Sequence, residues 1–136
     1  MSVVIDASVA VKWVLDEPGS EQAAELRSEE LLAPSLWLAE AANVLWSRTR
    51  SGEISAAEAA ERLARLMDAP VATTPIEADI IAAHRLANGL SHPVYDCLYL
   101  ALALREDTHL ITADGRFVDA VDRDATLRGS VRRLGD

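Results

Sequence analysis

The sequence predicts an α/β layer fold in which a central, mainly parallel sheet of four to five short strands is wrapped by helices. Three observations carry this. Short β-branched or apolar runs alternate with helix-like segments along the whole chain, the arrangement that builds parallel sheets through helical crossovers. Half of the residues are hydrophobic and about a quarter are charged, the balance of an ordered globular chain. No repeat, linker or low-complexity tract interrupts the alternation, so the 136 residues are expected to form one domain, 1–136, large enough for a core without covalent staples.

In chain order, residues 3–5 (VVI) form a β-branched run that stops at Asp6. Residues 9–15 (VAVKWVL) read as a short helix closed by Pro18 and Gly19, and Ser20 as the cap of a second helix to about Arg27. Residues 31–33 (LLA) make a weak strand before Pro34. Residues 35–50 carry an apolar stripe of Leu36, Trp37, Ala41, Val44 and Leu45 and read as a strong amphipathic helix, ended by Gly52. Ser55 and Glu58 have capping-box spacing for a helix over 56–68. Residues 70–73 suit a strand; Thr74 then caps and Pro75 opens a helix running to Asn88 and Gly89. Pro93 starts a helix over 93–105 that is apolar on nearly every side, so it is expected to be buried. Residues 109–112 form a strand broken at Asp114 and Gly115, and residues 131–134 a last edge strand.

Against this apolar framework four acids stand out: Asp6 in VVIDAS, Glu40 in LWLAEAANVLW, Asp96 in HPVYDCLYLALAL and Asp114 in HLITAD. Each has an ordinary local explanation. Asp6 is a helix cap, Glu40 the exposed edge of its stripe, Asp96 a partner of its helix dipole, Asp114 half of an Asp-Gly turn. Glu40 resists that explanation most, because Leu36 and Val44 lie one turn to either side and put it on the core-facing side. A carboxylate in such places is costly without compensation, and Lys12 is the only lysine in the chain. Together the four point to a shared cation. Oxygen-only ligands suit Mg²⁺ or Mn²⁺. Zinc is not expected, since His84, His92 and His109 lack paired spacing and Cys97 stands alone. Ser8, Asn43 and Thr112 are candidates for supporting the acids through hydrogen bonds, and Asp119 reads as a solvated helix acid.

Other chemistries find less support. There is neither a glycine-rich phosphate loop nor a G-x-S-x-G elbow. A phosphatase built on Asp6 would want a second Asp where Ser8 stands. The net charge of −9 argues against a wholesale polyanion-binding surface, although arginines group at 48 and 50, at 62 and 65, and at 128, 132 and 133. Trp13, Trp37 and Trp46 read as core or interface anchors. One cysteine, no membrane-length apolar run and an opening MSVVID without a leader pattern make a cytoplasmic protein the expectation.

The order and surroundings of these acids carry a resemblance. VVIDASVAVKW, LAEAANVLW, YDCLYLALAL and TAD occur here as in PIN-domain ribonucleases, in particular the VapC type of toxin from prokaryotic toxin–antitoxin pairs, and the likeness runs from Val3 to about Phe117. The resemblance implies a PIN-like three-layer fold with an acidic pocket at one end of the sheet. It implies that Asp6, Glu40, Asp96 and Asp114 bind one or two Mg²⁺ or Mn²⁺ ions and carry the hydrolysis of RNA phosphodiesters. It also implies a small VapB-type antitoxin as partner, and homodimer contacts are expected through the apolar helices. The rival readings are a metal-dependent phosphatase or DNA nuclease on the same acids, and a non-catalytic RNA- or protein-binding module.

Overall fold

The structure, a computed structural model, describes residues 2–136. Five parallel strands, β1 (Ser2–Ile5), β2 (Glu30–Pro34), β3 (Val71–Thr74), β4 (Leu110–Thr112) and β5 (Val131–Arg133), form one sheet in the order β3-β2-β1-β4-β5. The pairing is in register from Val3 opposite Leu31 on one side of β1 to Val4 opposite Leu110 on the other. Around the sheet lie α1 (Ala7–Ala10), α2 (Ser20–Glu25), α3 (Trp37–Arg50), α4 (Ala56–Met67), α5 (Ile80–Leu90), α6 (Val94–Arg105) and α7 (Gly115–Asp122). The predicted α/β fold and its parallel sheet are what the structure contains.

The sheet order fixes where a site can form. From β1 the chain steps outward to β2 and β3, then crosses back to β4 and β5 on the other side of β1. The strand order reverses between β1 and β4, and in open parallel sheets the crevice at the carboxyl ends beside such a reversal is where ligands bind. Helix α6 packs on β1, β2 and β4. Its central run, from Cys97 to Ala103, is buried on all sides, as its all-round apolarity predicts. As the helix leading into a parallel strand, α6 runs against the strand direction, so its first turn lies at the carboxyl edge. The core closes around it with Val4, Ile5, Leu45, Leu110, Phe117 and Val121.

Four local expectations need correction. The first helix begins at Ala7 with Asp6 as its cap, and continues as a 3₁₀ turn over Val11–Trp13. Gly19, not Ser20, is the residue before α2; its φ of +92° suits glycine, and a Cβ there would press on Lys12 and Leu134 at 3.3 and 3.2 Å. The Ser20 hydroxyl is engaged elsewhere, donating to the Leu15 carbonyl and accepting from the Glu17 amide. Thr74 stays in β3, and Pro75 leads only into a 3₁₀ turn, Ile76–Ala78; α5 then runs through Gly89 and ends at Ser91 in the left-handed region. Asp114 and Gly115 open a helix where a simple turn was expected. The Ser55–Glu58 capping box is present as read, with both bonds at 3.0 Å. Of the three tryptophans, Trp37 is in the core, Trp13 is half-buried and donates to the Ala23 carbonyl, and Trp46 is exposed beneath Arg50.

Candidate active site

Each of the four acids reaches the carboxyl edge by its own route. Asp6 is the first residue after β1, and Asp114 follows β4 by two. Glu40 lies in the first turn of α3, which leaves β2 at the same edge, and Asp96 lies in the first turn of α6. All four line one open cavity of about 480 Å³, with Ser8, Asn43 and Tyr95 beside them and an apolar wall of Leu36, Ala39 and Val44. Thr112 is fully buried beneath it. Asn43 is exposed on the wall and forms no side-chain bond to Glu40 among the described residues.

The carboxylates are held by hydroxyls and amides. Asp6 accepts from the Ser8 hydroxyl and, at 3.2 Å, the Val9 amide through Oδ1, and from the Thr112 hydroxyl through Oδ2. Ser8 and Thr112 also receive the amides of Ala113 and Asp114, at 3.0 and 3.1 Å, so the ends of β1 and β4 are bonded into one unit. Asp114, read from the sequence as half of a turn, caps α7, accepting the Arg116 amide at 3.0 Å, and its side chain lines the cavity as well. Glu40 accepts the Tyr99 hydroxyl through Oε1. His92 Nε2 lies 2.6 Å from Asp96 Oδ2, and its ring stacks against Phe117 with centroids 4.4 Å apart.

Burial sets the electrostatics. Enclosure pushes Asp6 up to about 6; its three hydrogen bonds oppose this and the nearby Asp96 charge adds to it. Glu40 is raised for the same first reason, with Tyr99 opposing and Asp96 again adding. Asp96 thus repels both, and is the electrostatic centre of the group. Burial and the Glu40 charge push the Tyr99 phenol far above its ordinary range, so it stays a neutral donor. Cys97 is pushed up to about 11 by burial and then by Asp96, which makes it an inert core thiol.

Two of these contacts escaped the sequence. The acids looked bare of cationic neighbours, yet His92 meets Asp96; its spacing of four on the approach to a helix was the available signal. Tyr99 gave none, because its partner Glu40 lies 59 residues away.

The donor set fits a hard divalent cation. It is all oxygen, and two of its carboxylates are held in partial burial with no Lys or Arg among the described residues lining the cavity. Among the described residues no three Asp, Glu, His or Cys side chains converge into a ready-made cage.

Comparison with known proteins gives the family. The PIN domain model matches residues 3–122. Ribonuclease VapC12 of Mycobacterium tuberculosis is 30% identical over 126 residues, covering 92% of this chain and 96% of that protein. The crystal structure of PAE2754 from Pyrobaculum aerophilum superposes with a TM-score of 0.72 at 20% identity, over 98% of this chain and 84% of the other. A toxin–antitoxin complex from Klebsiella pneumoniae contains a chain that superposes at 0.63 and 16% identity, over 96% and 95%. At those identities the two structures speak for the fold, whereas the family match and the curated relative go further: the chain belongs to the PIN-domain family and is of the VapC type.

Proposed function

We propose that this chain, as a single PIN domain, is a Mg²⁺- or Mn²⁺-dependent endoribonuclease and the toxin of a type II toxin–antitoxin pair. The observation that carries the reading is one pocket that gathers Asp6, Glu40, Asp96 and Asp114 with no Lys or Arg among the described residues lining it; burial and the Asp96 charge hold Asp6 and Glu40 raised. A bound divalent ion would supply a nucleophilic water near neutral pH and offset charge on the phosphate. Asp6, Asp96 and Asp114 are the proposed ligands, with Glu40 as a further ligand or the group that orients water. Ser8 and Thr112 keep Asp6 on the pocket side of the β1–β4 junction, and Asn43 offers an amide to the substrate backbone. Tyr95, exposed at the pocket mouth, gives an unpaired base a stacking face, which favours single-stranded or looped RNA.

The relative named a ribonuclease and the structural neighbour in a toxin–antitoxin complex support the activity and a VapB-type antitoxin partner. The exposed Ile80, Ile81 and Leu104 support a homodimer through α5 and α6. No helix among the described residues is long and apolar enough to cross a membrane, and a cytoplasmic site of action is part of the proposal.

The decisive experiment is RNA cleavage by wild type and Asp96→Asn with and without Mg²⁺, beside Mn²⁺ titration calorimetry. Cleavage that needs the ion and is lost in the variant is expected. Cleavage unchanged by the substitution would sink the site assignment; phosphate release from monoesters with RNA intact would favour a phosphatase; absence of Mn²⁺ binding would favour a non-catalytic binding module.

A further inference from the structure

Tyr99 is almost wholly buried in the most enclosed helix of the molecule, yet it carries a hydroxyl. A buried hydroxyl is retained only with a partner, and this one has Glu40, donating to its Oε1 on α3. A single oxygen on α6, one turn beyond Asp96, therefore ties the segment that bears Asp96 to the one that bears Glu40.

The bond also orients Glu40. Its Oε1 accepts the phenol and keeps a second lone pair, while Oε2 has no hydrogen-bond partner among the described residues. We propose that Tyr99 is the positioning residue for Glu40, fixing the plane of its carboxylate so that it serves as a single-oxygen donor, to a cation or to its water, and disfavouring chelation through both oxygens. The proposal rests on the metal-dependent reading above and sharpens the one role left open there. It has a consequence for ion choice. Mg²⁺ and Mn²⁺ accept single carboxylate oxygens in compact geometry, whereas Ca²⁺ favours higher coordination and two-oxygen carboxylates. A pinned Glu40 discriminates against Ca²⁺; a released one does so less.

The test is Tyr99→Phe in the full chain, which removes one oxygen and keeps the buried ring. Calorimetry should show Mn²⁺ affinity falling about 10-fold or more, as for loss of other supporting hydrogen bonds at metal sites. Ca²⁺ affinity should fall less or rise, so that the Mn²⁺/Ca²⁺ ratio narrows. Cleavage should lose kcat with KM for RNA unchanged. On a Glu40→Gln background, Tyr99→Phe should add nothing to the loss of Mn²⁺ affinity, because the phenol acts through the carboxylate. Val121→Ala, in the core and away from the cavity, controls for general loosening: it should lower the melting temperature and leave the Mn²⁺/Ca²⁺ ratio unchanged. Wild-type Mn²⁺ binding with an unchanged Tyr99→Phe, or a full further loss on the Glu40→Gln background, overturns the role of Tyr99 alone. Failure of wild type to bind Mn²⁺ overturns the ribonuclease reading and this role with it, and a slowly exchanging Tyr99 hydroxyl proton in the metal-free protein would still report the bond itself.

Discussion

The pocket acids and the acids at Glu17 and Asp79 are the same chemical groups in opposite electrostatic settings. Glu17 sits between Lys12 at 3.0 Å and Arg48 at 2.7 Å; burial pushes it up, but the two cations outweigh that and hold it below the usual carboxylate range. Asp79, 3% exposed, receives both Arg105 Nε and a terminal nitrogen at 2.8 and 3.0 Å, a bidentate pair that fastens the start of α5 to the end of α6. In the pocket, hydroxyls and amides do most of the holding, and among the described residues the one ionisable nitrogen bonded to a pocket acid is that of His92, on Asp96. The chain places its lone lysine and two arginines on acids that only join elements, and leaves Asp6 and Glu40 raised. Burying a carboxylate costs less beside a cation than without one, so the contrast sets the pocket acids apart from the joining acids and supports the cation-binding role proposed for them.

The largest effect expected from breaking this contrast is on the pocket side. Asp96→Asn removes the charge that repels both neighbours and one proposed ligand, and should lower kcat by more than ~100-fold while the fold, followed by circular dichroism, persists. Activity within a few-fold of wild type would mean that Asp96 is only a helix-start acid.

Next comes pH. Folded Asp6 titrates at about 6 against an ordinary 3.8, so between these values the folded state binds more protons than the unfolded one. Stability of the metal-free protein should therefore fall as pH rises through that window and level off above it, by on the order of 2 kcal/mol once water in the pocket is allowed for. Urea unfolding at a series of pH values, wild type against Asp6→Asn, isolates the contribution. A difference that does not vary between pH 4 and pH 6 would remove the argument that Asp6 lacks a counter-charge. Saturating Mg²⁺ should reverse the slope, since binding requires the ionised carboxylate.

Glu17 should answer with the opposite sign. Its folded pKa is depressed, so its contribution is present at neutral pH and is lost as pH falls through the acid range. Glu17→Gln should destabilise by about 1–2 kcal/mol, between the values for exposed and buried pairs, with cleavage per folded molecule intact. A loss of cleavage without loss of stability would show that the two regions are not separate.

Much of this was legible in the sequence because it is local. Residues 3–5, 31–33 and 109–112 are short β-branched or apolar-centred stretches that read as strands, 31–33 only weakly, and the four acids interrupt or end apolar segments whose direction fixes which edge they reach. Capping was legible where both partners lie within four residues, as at Ser55 and Glu58. It failed at Ser20, whose hydroxyl prefers the loop beneath it, and at Thr74, held in β3 by pairing with Pro34. Of the supports of the site, Ser8 and Thr112 were legible as candidates and Tyr99 was not, and the distant partners could not be read at all. Thr112 reaches Asp6 across 106 residues and Tyr99 reaches Glu40 across 59. Periodicity places Tyr99 correctly in the core, and nothing in the neighbouring residues says that its hydroxyl will find an acid there.

The smallest predicted effect is also the most discriminating. Glu40→Gln keeps an oxygen for the Tyr99 hydroxyl and removes a charge that burial disfavours, so without metal at neutral pH it should stabilise the protein, by about 1 kcal/mol or roughly 2–4 °C in melting temperature. Activity should fall in the same variant, the usual exchange where a strained polar site is neutralised. Adding Mg²⁺ should then invert the order. Wild type gains stability by mass action, about 2.7 kcal/mol at a hundredfold excess over Kd, and the variant gains less because one oxygen donor has lost its charge. If Glu40 were an exposed edge residue, the substitution would move neither melting curve, and the two would respond to Mg²⁺ alike. An inversion can arise only if the carboxylate is unfavourable in the empty pocket and favourable in the occupied one, which is the physical difference between Glu40 and Glu17.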